Sequence, residues 1–215
     1  MKVRGLMGFC MMIAFAQAAW AIDNDGDGLS DVWQSTYGIG AEQADADPDG
    51  DGDSNRHEAW AGTDPGDSNS NSRLSFSRNA DQIALAWPGI AKMPYVLQTS
   101  TNLVSWSPVG GEVVGAGEVV TANATLPATG RPFYRLRIRS ILDTDSDDLR
   151  DWEEFMVGTL EGSWDTDTDL MPDGWEYANM LDPNIPDAGE DADGDEVSNL
   201  DEYINGTNPQ DPGDF

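Results

Sequence analysis

The sequence predicts a mainly β central sandwich, small and antiparallel, between two loop-rich arms that carry short helices. Three observations predict it. One twelve-residue acidic phrase recurs five times, the charge changes sign in the middle of the chain, and period-two alternation is confined to that middle stretch. The phrases begin at Asp23, Asp47, Asp143, Asp165 and Asp191 and read DNDGDGLSDVWQ, DPDGDGDSNRHE, DTDSDDLRDWEE, DTDTDLMPDGWE and DADGDEVSNLDE. Each has aspartate at positions 1, 3 and 5, an acid or its amide at position 9 and, in all but the first, glutamate at position 12.

The chain holds 40 acidic and 11 basic residues, a net charge of -29, and 27 of the 40 acids fall inside the five phrases. Carboxylates crowded at fixed spacing repel one another unless a cation sits among them, and an all-oxygen donor set suits a hard divalent ion. The spacing is that of a calcium loop: carboxylates at 1, 3 and 5, a backbone carbonyl at 7, often a water at 9, and a bidentate glutamate at 12. The candidate ligands of the first loop are Asp23, Asp25, Asp27, the carbonyl of Leu29, Asp31 and Gln34. Those of the second are Asp47, Asp49, Asp51, the carbonyl of Asp53, Asn55 and Glu58, with the Asp53 side chain read as a bystander. The third offers Asp143, Asp145, Asp147, Leu149, Asp151 and Glu154, and the fourth Asp165, Asp167, Asp169, Met171, Asp173 and Glu176. The fifth offers Asp191, Asp193, Asp195, Val197, Asn199 and Glu202, so up to five calcium ions are expected.

Two departures bear on the sites. Gln34 gives the first loop one neutral oxygen at position 12, which weakens that site unless Asp31 or a neighbouring repeat compensates. Asp148, Leu170 and Glu196 stand at position 6, where Gly28 and Gly52 accept a sharp turn most easily, so the last three loops are expected either to bind more weakly or to take a variant backbone path.

The first 21 residues read as a secretory leader. Lys2 and Arg4 precede the apolar stretch from Leu6 to Ala16, and Ala19-Trp20-Ala21 forms a small-residue cleavage site, so the mature chain begins at Ile22. The single cysteine, Cys10, lies in that leader, which leaves the mature protein without disulfides. No later segment is apolar for long enough to span a membrane, so a secreted, extracellular or cell-surface location is expected, with the periplasm as the other destination. Residues 22–72 then form an arm with the first two loops, 73–140 the sandwich module, and 141–215 an arm with the other three. The module has seven basic and three acidic residues. Its expected strands are Arg73 to Arg78, Gln82 to Trp87, Tyr95 to Thr99, Glu118 to Leu126 and Phe133 to Ile138, with a break at Pro88-Gly89. Trp33, Trp60, Phe155, Trp175, Tyr177 and Tyr203 are expected to pack beneath the loops.

The phrases and their tails carry a family likeness. Glu58-Ala-Trp-Ala-Gly62-Thr63-Asp64-Pro65 recurs as Glu202-Tyr-Ile-Asn-Gly206-Thr207-Asn208-Pro209, and Glu154-Phe-Met-Val-Gly158-Thr159 repeats it without the proline. The arms therefore resemble bacterial thrombospondin type 3-like repeats, a likeness that implies calcium-dependent folding outside the cell and no catalysis. More loosely, the segment from Tyr95 to Trp106 with Phe133-Tyr134-Arg135-Leu136 resembles small fibronectin-III or immunoglobulin-like sandwich modules.

The expected function is a calcium-stabilised structural or spacer protein. The alternative is an extracellular glycan- or polyanion-binding module in which Trp87, Tyr95 and Trp106 stack on sugars and Arg131, Arg135, Arg137 and Arg139 hold acidic groups; its partner is a polysaccharide or a cell-surface protein. An enzyme is not expected, since His57 is the only histidine, the cysteine lies in the leader and calcium claims the carboxylate pairs. Nucleic acid is excluded as a partner by the acidic balance. The glutamates at position 12 and the Gly-Thr tails argue against dockerin-type loop pairs.

Overall fold

The computed structural model describes residues 22–79, 82–125, 132–139 and 141–214. The leader expected at 1–21, Leu126 at the end of an expected strand, and Arg131 lie outside them. The chain divides into two compact units, one holding Asp45–Ser140 and the other Ala19–Ala44 together with Ile141–Phe215. Among the described residues no helix is long and apolar enough to cross a membrane.

The first unit carries the strands β1 (Ser75–Asn79), β2 (Gln82–Gly89), β3 (Pro94–Ser100), β4 (Ser107–Pro108), β5 (Val113–Val114), β6 (Glu118–Thr125) and β7 (Phe133–Ile138). They form two antiparallel sheets. One has the order β1-β2-β6; in the other, β3 pairs with β7 and with the short β4 and β5. Alternation decides which side is buried. Ile83, Leu85 and Trp87 of β2, Tyr95 and Leu97 of β3, and Tyr134, Leu136 and Ile138 of β7 all face inward. The Trp87 and Tyr95 rings, one from each sheet, lie 6.0 Å apart. Both are core residues, so neither is available to stack on a sugar. Strand β2 runs through the expected Pro88-Gly89 break: Pro88 pairs with Val119 and Gly89 with Glu118. Proline is tolerated there because β1 ends opposite Ala86, so no partner awaits the missing N–H on that side.

Five short helices start at position 9 of the five acidic loops: α1 (Asp31–Tyr37), α2 (Asn55–Ala61), α3 (Asp151–Val157), α4 (Asp173–Ala178) and α5 (Asn199–Asn205). A serine at position 8 caps two of them, Ser30 accepting from the Trp33 N–H and Ser198 from that of Asp201. Gly38, Gly62, Gly158 and Gly206 end four helices in the left-handed conformation, where glycine carries no Cβ penalty.

The units do not follow the expected arms. The second loop belongs with the sandwich, whereas the first belongs with the third, fourth and fifth. The reason is apolar: Ile22, Val32 and Leu149 share one core, with Met156, Val157, Tyr177 and Ala178 against it. A polar clasp adds to it, as the Ser30 hydroxyl donates to Glu153 and the Arg150 N–H donates to the same carboxylate at 3.2 Å. Of the expected aromatic anchors, Trp33 is buried and Trp175 lies against Tyr203 at 5.1 Å. Phe155 does not pack: it is 59% exposed, and its neighbour Trp152 is the buried ring of that helix.

Glu153 is fully buried, and burial raises its pKa to about 7 against the pull of Arg150 and the Ser30 hydrogen bond. Glu153→Ala would leave Arg150 and Ser30 buried without their acceptor. It is expected to destabilise this unit by about 3–5 kcal/mol, read as faster amide exchange across residues 22–37 and 143–157 with the sandwich strands unchanged.

Candidate metal centres

All five loops share one backbone path. The position-1 carboxylate accepts the N–H of position 6 in each: Gly28 to Asp23 at 3.1 Å, Gly52 to Asp47 at 3.0 Å, Asp148 to Asp143 at 3.3 Å, Leu170 to Asp165 at 2.9 Å and Glu196 to Asp191 at 2.9 Å. The position-5 carboxylate accepts the N–H of position 7 at 2.7–3.1 Å. The N–H of position 9 reaches back to the carbonyl of the residue preceding the loop at 2.8–3.0 Å. Positions 4 and 6 are left-handed throughout. Gly26, Gly50, Ser146, Thr168 and Gly194 have φ of 72°, 74°, 69°, 68° and 84°, and Gly28, Gly52, Asp148, Leu170 and Glu196 have 85°, 96°, 81°, 82° and 78°. The departures at position 6 therefore bend the chain as glycine does, at a cost in strain that is largest for bulky side chains.

The aspartates at positions 1, 3 and 5 converge. In the first four loops the three carboxylates each present an oxygen within 4.8 Å of the others. Position 12 supplies the fourth acid. Glu58, Glu154, Glu176 and Glu202 are at most 1% exposed. Both carboxylate oxygens of Glu154, Glu176 and Glu202, and Oε2 of Glu58, are buried without a hydrogen-bond partner. So are Oδ2 of Asp49, Asp51, Asp167, Asp193 and Asp195, and both oxygens of Asp145. A buried carboxylate without a partner costs several kcal/mol when ionised. The donors are all oxygen, and several acids meet at each point, so the clusters could hold a hard divalent cation.

The tail residues fix these glutamates. The position-12 carbonyl accepts from the N–H of Ile39, Thr63, Thr159, Leu181 and Thr207 in the five loops at 2.9–3.1 Å. The Thr63 hydroxyl also donates to Glu58 Oε1 at 3.3 Å. The Gly-Thr signature is thus a helix end that pins the last acid of the loop.

The first loop differs. Gln34 turns its amide inward, and Nε2 donates to Asp27 Oδ2 at 2.9 Å. Position 12 here gives a neutral amide in place of a carboxylate, and none of this loop's carboxylate oxygens is among the buried unpartnered ones.

The remaining sequence candidates sort by position. At position 9, the side chains of Asp31, Asp151, Asp173 and Asn199 accept the N–H of position 2 at 2.7–3.2 Å, which closes the loop internally. The second loop has Pro48 at position 2, which has no N–H to give to Asn55. At position 7, Leu29, Leu149 and Met171 bury their side chains, so only their carbonyls are available, and Val197 is half-buried. Asp53 departs from the bystander reading: its carboxylate is half-buried, has one buried unpartnered oxygen, and lies in the field of both Asp51 and Arg73. Sequence spacing also missed the groups that meet the position-5 acids from outside their own loops. The Arg73 guanidinium lies 4.0 Å from Asp51, the Gly174 N–H donates to Asp147 Oδ2 at 3.3 Å, and the N–H groups of Asp187 and Ala188 donate to Asp169 Oδ2 at 3.0 and 2.8 Å. Gly174 is required in that contact, because a Cβ there would lie 2.1 Å from the Asp147 carbonyl oxygen.

No family model, curated protein or solved structure matches this chain.

Burial, reinforced by the neighbouring aspartates, raises Glu58 and Glu154 to about 8 and Glu176 to about 9, from an ordinary 4.5. Asp147 rises to about 7 and Asp167 to about 6 for the same reason. A carboxyl whose folded pKa is raised holds its proton better in the folded state. The stability it contributes is complete below the unfolded value and is lost as pH rises through the folded one. Calorimetric melting in chelator is therefore expected to show a midpoint that falls between about pH 4.5 and 9. With a saturating divalent cation, which needs the deprotonated ligands, the slope reverses. Leu170 is 61% exposed at φ 82°, so Leu170→Gly relieves strain and removes little packing. It is expected to stabilise the fourth loop by up to about 1 kcal/mol in chemical denaturation, and to strengthen its cation binding rather than weaken it.

Proposed function

We propose that the chain is a secreted calcium-binding structural or spacer protein built on thrombospondin type 3-like repeats, with no catalytic role. The observation that carries the reading is the set of four position-12 glutamates, sealed from solvent with oxygens that no protein group meets, each facing the aspartates of its own loop. A cation of many oxygen ligands at flexible angles answers that arrangement; magnesium, which keeps most of its waters, answers it less well. The leader read from the sequence would deliver the chain to a compartment where calcium is abundant. There, sites of about 10⁻⁴ to 10⁻³ M stay filled and serve to hold the fold rather than to switch it.

Calorimetric titration of the full chain with calcium, against magnesium, tests the reading. Tight uptake is expected at the second to fifth loops and weak uptake at the first, which its own amide closes. Glu58→Gln removes a charge and an oxygen from the second site and is expected to lower its affinity about tenfold or more. Chelation is expected to expose the loop segments to protease while β2, β3 and β7 stay protected. A chain that takes up no calcium at millimolar concentration, or whose loops resist protease equally with and without chelator, would sink the proposal.

One observation favours the second reading, a glycan- or polyanion-binding sandwich. The Arg135 guanidinium lies 4.2 Å above the Trp106 ring centroid, is held by Gln98 Oε1 at 2.7 Å, and has Arg137 beside it on the same face of β7. Arg139 is engaged by Glu112 at 2.6 Å. On this reading the calcium-loaded chain binds a sulfated or carboxylated polysaccharide, and the double replacement Arg135→Ala, Arg137→Ala abolishes it. Binding that is absent, or indifferent to both arginines, leaves the spacer reading alone.

A further inference from the structure

We infer that Asp187, which lies outside every twelve-residue loop, is an additional ligand of the cation held by the fourth loop, and that it ties the occupancy of that loop to the occupancy of the fifth. The inference rests on the calcium reading above and extends it to a residue that loop spacing does not reach.

Asp187 sits in the connector between the fourth loop (165–176) and the fifth (191–202). It nevertheless presents a carboxylate oxygen within 4.8 Å of oxygens of both Asp169 and Glu176. The connector is pinned in that place, because the N–H groups of Asp187 and Ala188 both donate to Asp169 Oδ2. The cluster has an independent sign of a ligand. Glu176 is 0% exposed, and neither of its oxygens has a partner. A third carboxylate brought against a buried, unneutralised glutamate is repulsive unless a cation is shared among them. Backbone hydrogen bonds hold Asp187 there, so the repulsion is relieved by a proton on the cluster or by a shared cation, and a cation meets all three carboxylates at once.

The same residue faces the fifth loop. Asn199, at position 9 of that loop, donates through Nδ2 to the Asp187 carbonyl at 3.1 Å and to Asp187 Oδ1 at 3.2 Å. Its own Oδ1 accepts the N–H of Ala192, at position 2 of the fifth loop, at 3.2 Å. The Leu200 N–H donates to the Ala188 carbonyl at 3.1 Å, and Trp175 of α4 lies against Tyr203 of α5. With Oδ1 engaged by Asn199, Oδ2 of Asp187 is the atom left to the cation. An ion in the fourth loop then orders the connector, the connector orders Asn199, and Asn199 closes the fifth loop. Coupling of this kind is reciprocal. The added carboxylate also changes the ranking of the sites. The fourth loop, weakened by Leu170 on spacing alone, gains a ligand that the second lacks.

Calcium titration of the full chain, with amide exchange of residues 165–176 and 191–202 to assign each site, tests both parts. Asp187→Asn keeps the shape and the Asn199 contact but removes the charge. It is expected to weaken the fourth site about tenfold and the fifth by a smaller factor, while Asp182→Asn, an exposed acid of the same connector, changes neither. Asp187→Glu, which keeps the charge, is expected to hold the fourth site closer to its original affinity than Asp187→Asn does. Glu176→Gln is expected to weaken the fifth site and Glu202→Gln the fourth, each through loss of the ion at its own loop. Calcium binding at both loops that ignores Asp187→Asn overturns the ligand, and loop substitutions that never cross to the other site overturn the coupling. In either case the calcium reading stands. A native chain that binds no calcium overturns both.

Discussion

The interaction on which the loops depend is the desolvation of a glutamate. Glu58, Glu154, Glu176 and Glu202 end their loops inside the protein, where one oxygen of Glu58 and both of each other glutamate have no donor to meet them and the aspartates nearby make ionisation harder still. Each is also the residue whose carbonyl closes the helix that follows, through the N–H of the Gly-Thr or equivalent tail. One end of the residue is thus committed to the backbone, and the other is held inside a cluster of like charges. Without a counter-ion the least costly state is a protonated one, and a loop forced to ionise opens. Either way, the closed loop needs its cluster neutralised, by protons or by a cation.

The loops divide their labour among positions. Aspartates at position 1, and the acid or amide at position 9 in all but the second loop, spend oxygens on backbone N–H groups within the loop. They shape the turn. In the second to fifth loops, oxygens at positions 3 and 12 remain buried without partners, as do those at position 5 of the second and fifth. The same skeleton persists whether position 6 is glycine, aspartate, leucine or glutamate, because the hydrogen bond from position 6 to position 1 fixes the left-handed turn from outside the residue that makes it. The strain at Leu170 and at the β-branched Thr168 is the measure of how strongly the surroundings impose that turn.

What could be read from the sequence is what has a fixed local period. The acid spacing located the clusters, and alternation located β2, β3, β6 and β7 to within a few residues, since both depend on neighbours close along the chain. Contacts made across sequence distance were not legible. No local signal says that Ile22 and Val32 share a core with Leu149, or that Ser30 reaches Glu153, so the grouping of the first loop with the third, fourth and fifth could not be foreseen. Strands of two residues, such as β4 and β5, have no period to detect. Trp152 and Phe155 are both aromatic and both on α3, and only the packing around the helix decides that the first is buried and the second exposed. Asp187 was missed because a twelve-residue template ends before it. The connector carries three acids, Asp182, Asp187 and Glu190, and nothing in their spacing singles out the second.

Position 5 is where a loop meets what lies outside it. Asp147 receives the N–H of Gly174, at position 10 of the fourth loop, and Asp169 receives those of Asp187 and Ala188, which lead into the fifth. In the sandwich unit the Arg73 guanidinium, just before β1, stands near Asp51 in the same role. In the first loop Gln34 meets the position-5 acid from within. Three devices, a backbone donor, a guanidinium and an amide, therefore address one carboxylate position, each lowering the charge that the loop must carry. They differ in consequence. A donor drawn from the next loop makes each cluster depend on the folding of its successor. The amide instead answers the first loop's position-5 acid from inside the loop, in a segment also held by an apolar core and by Glu153.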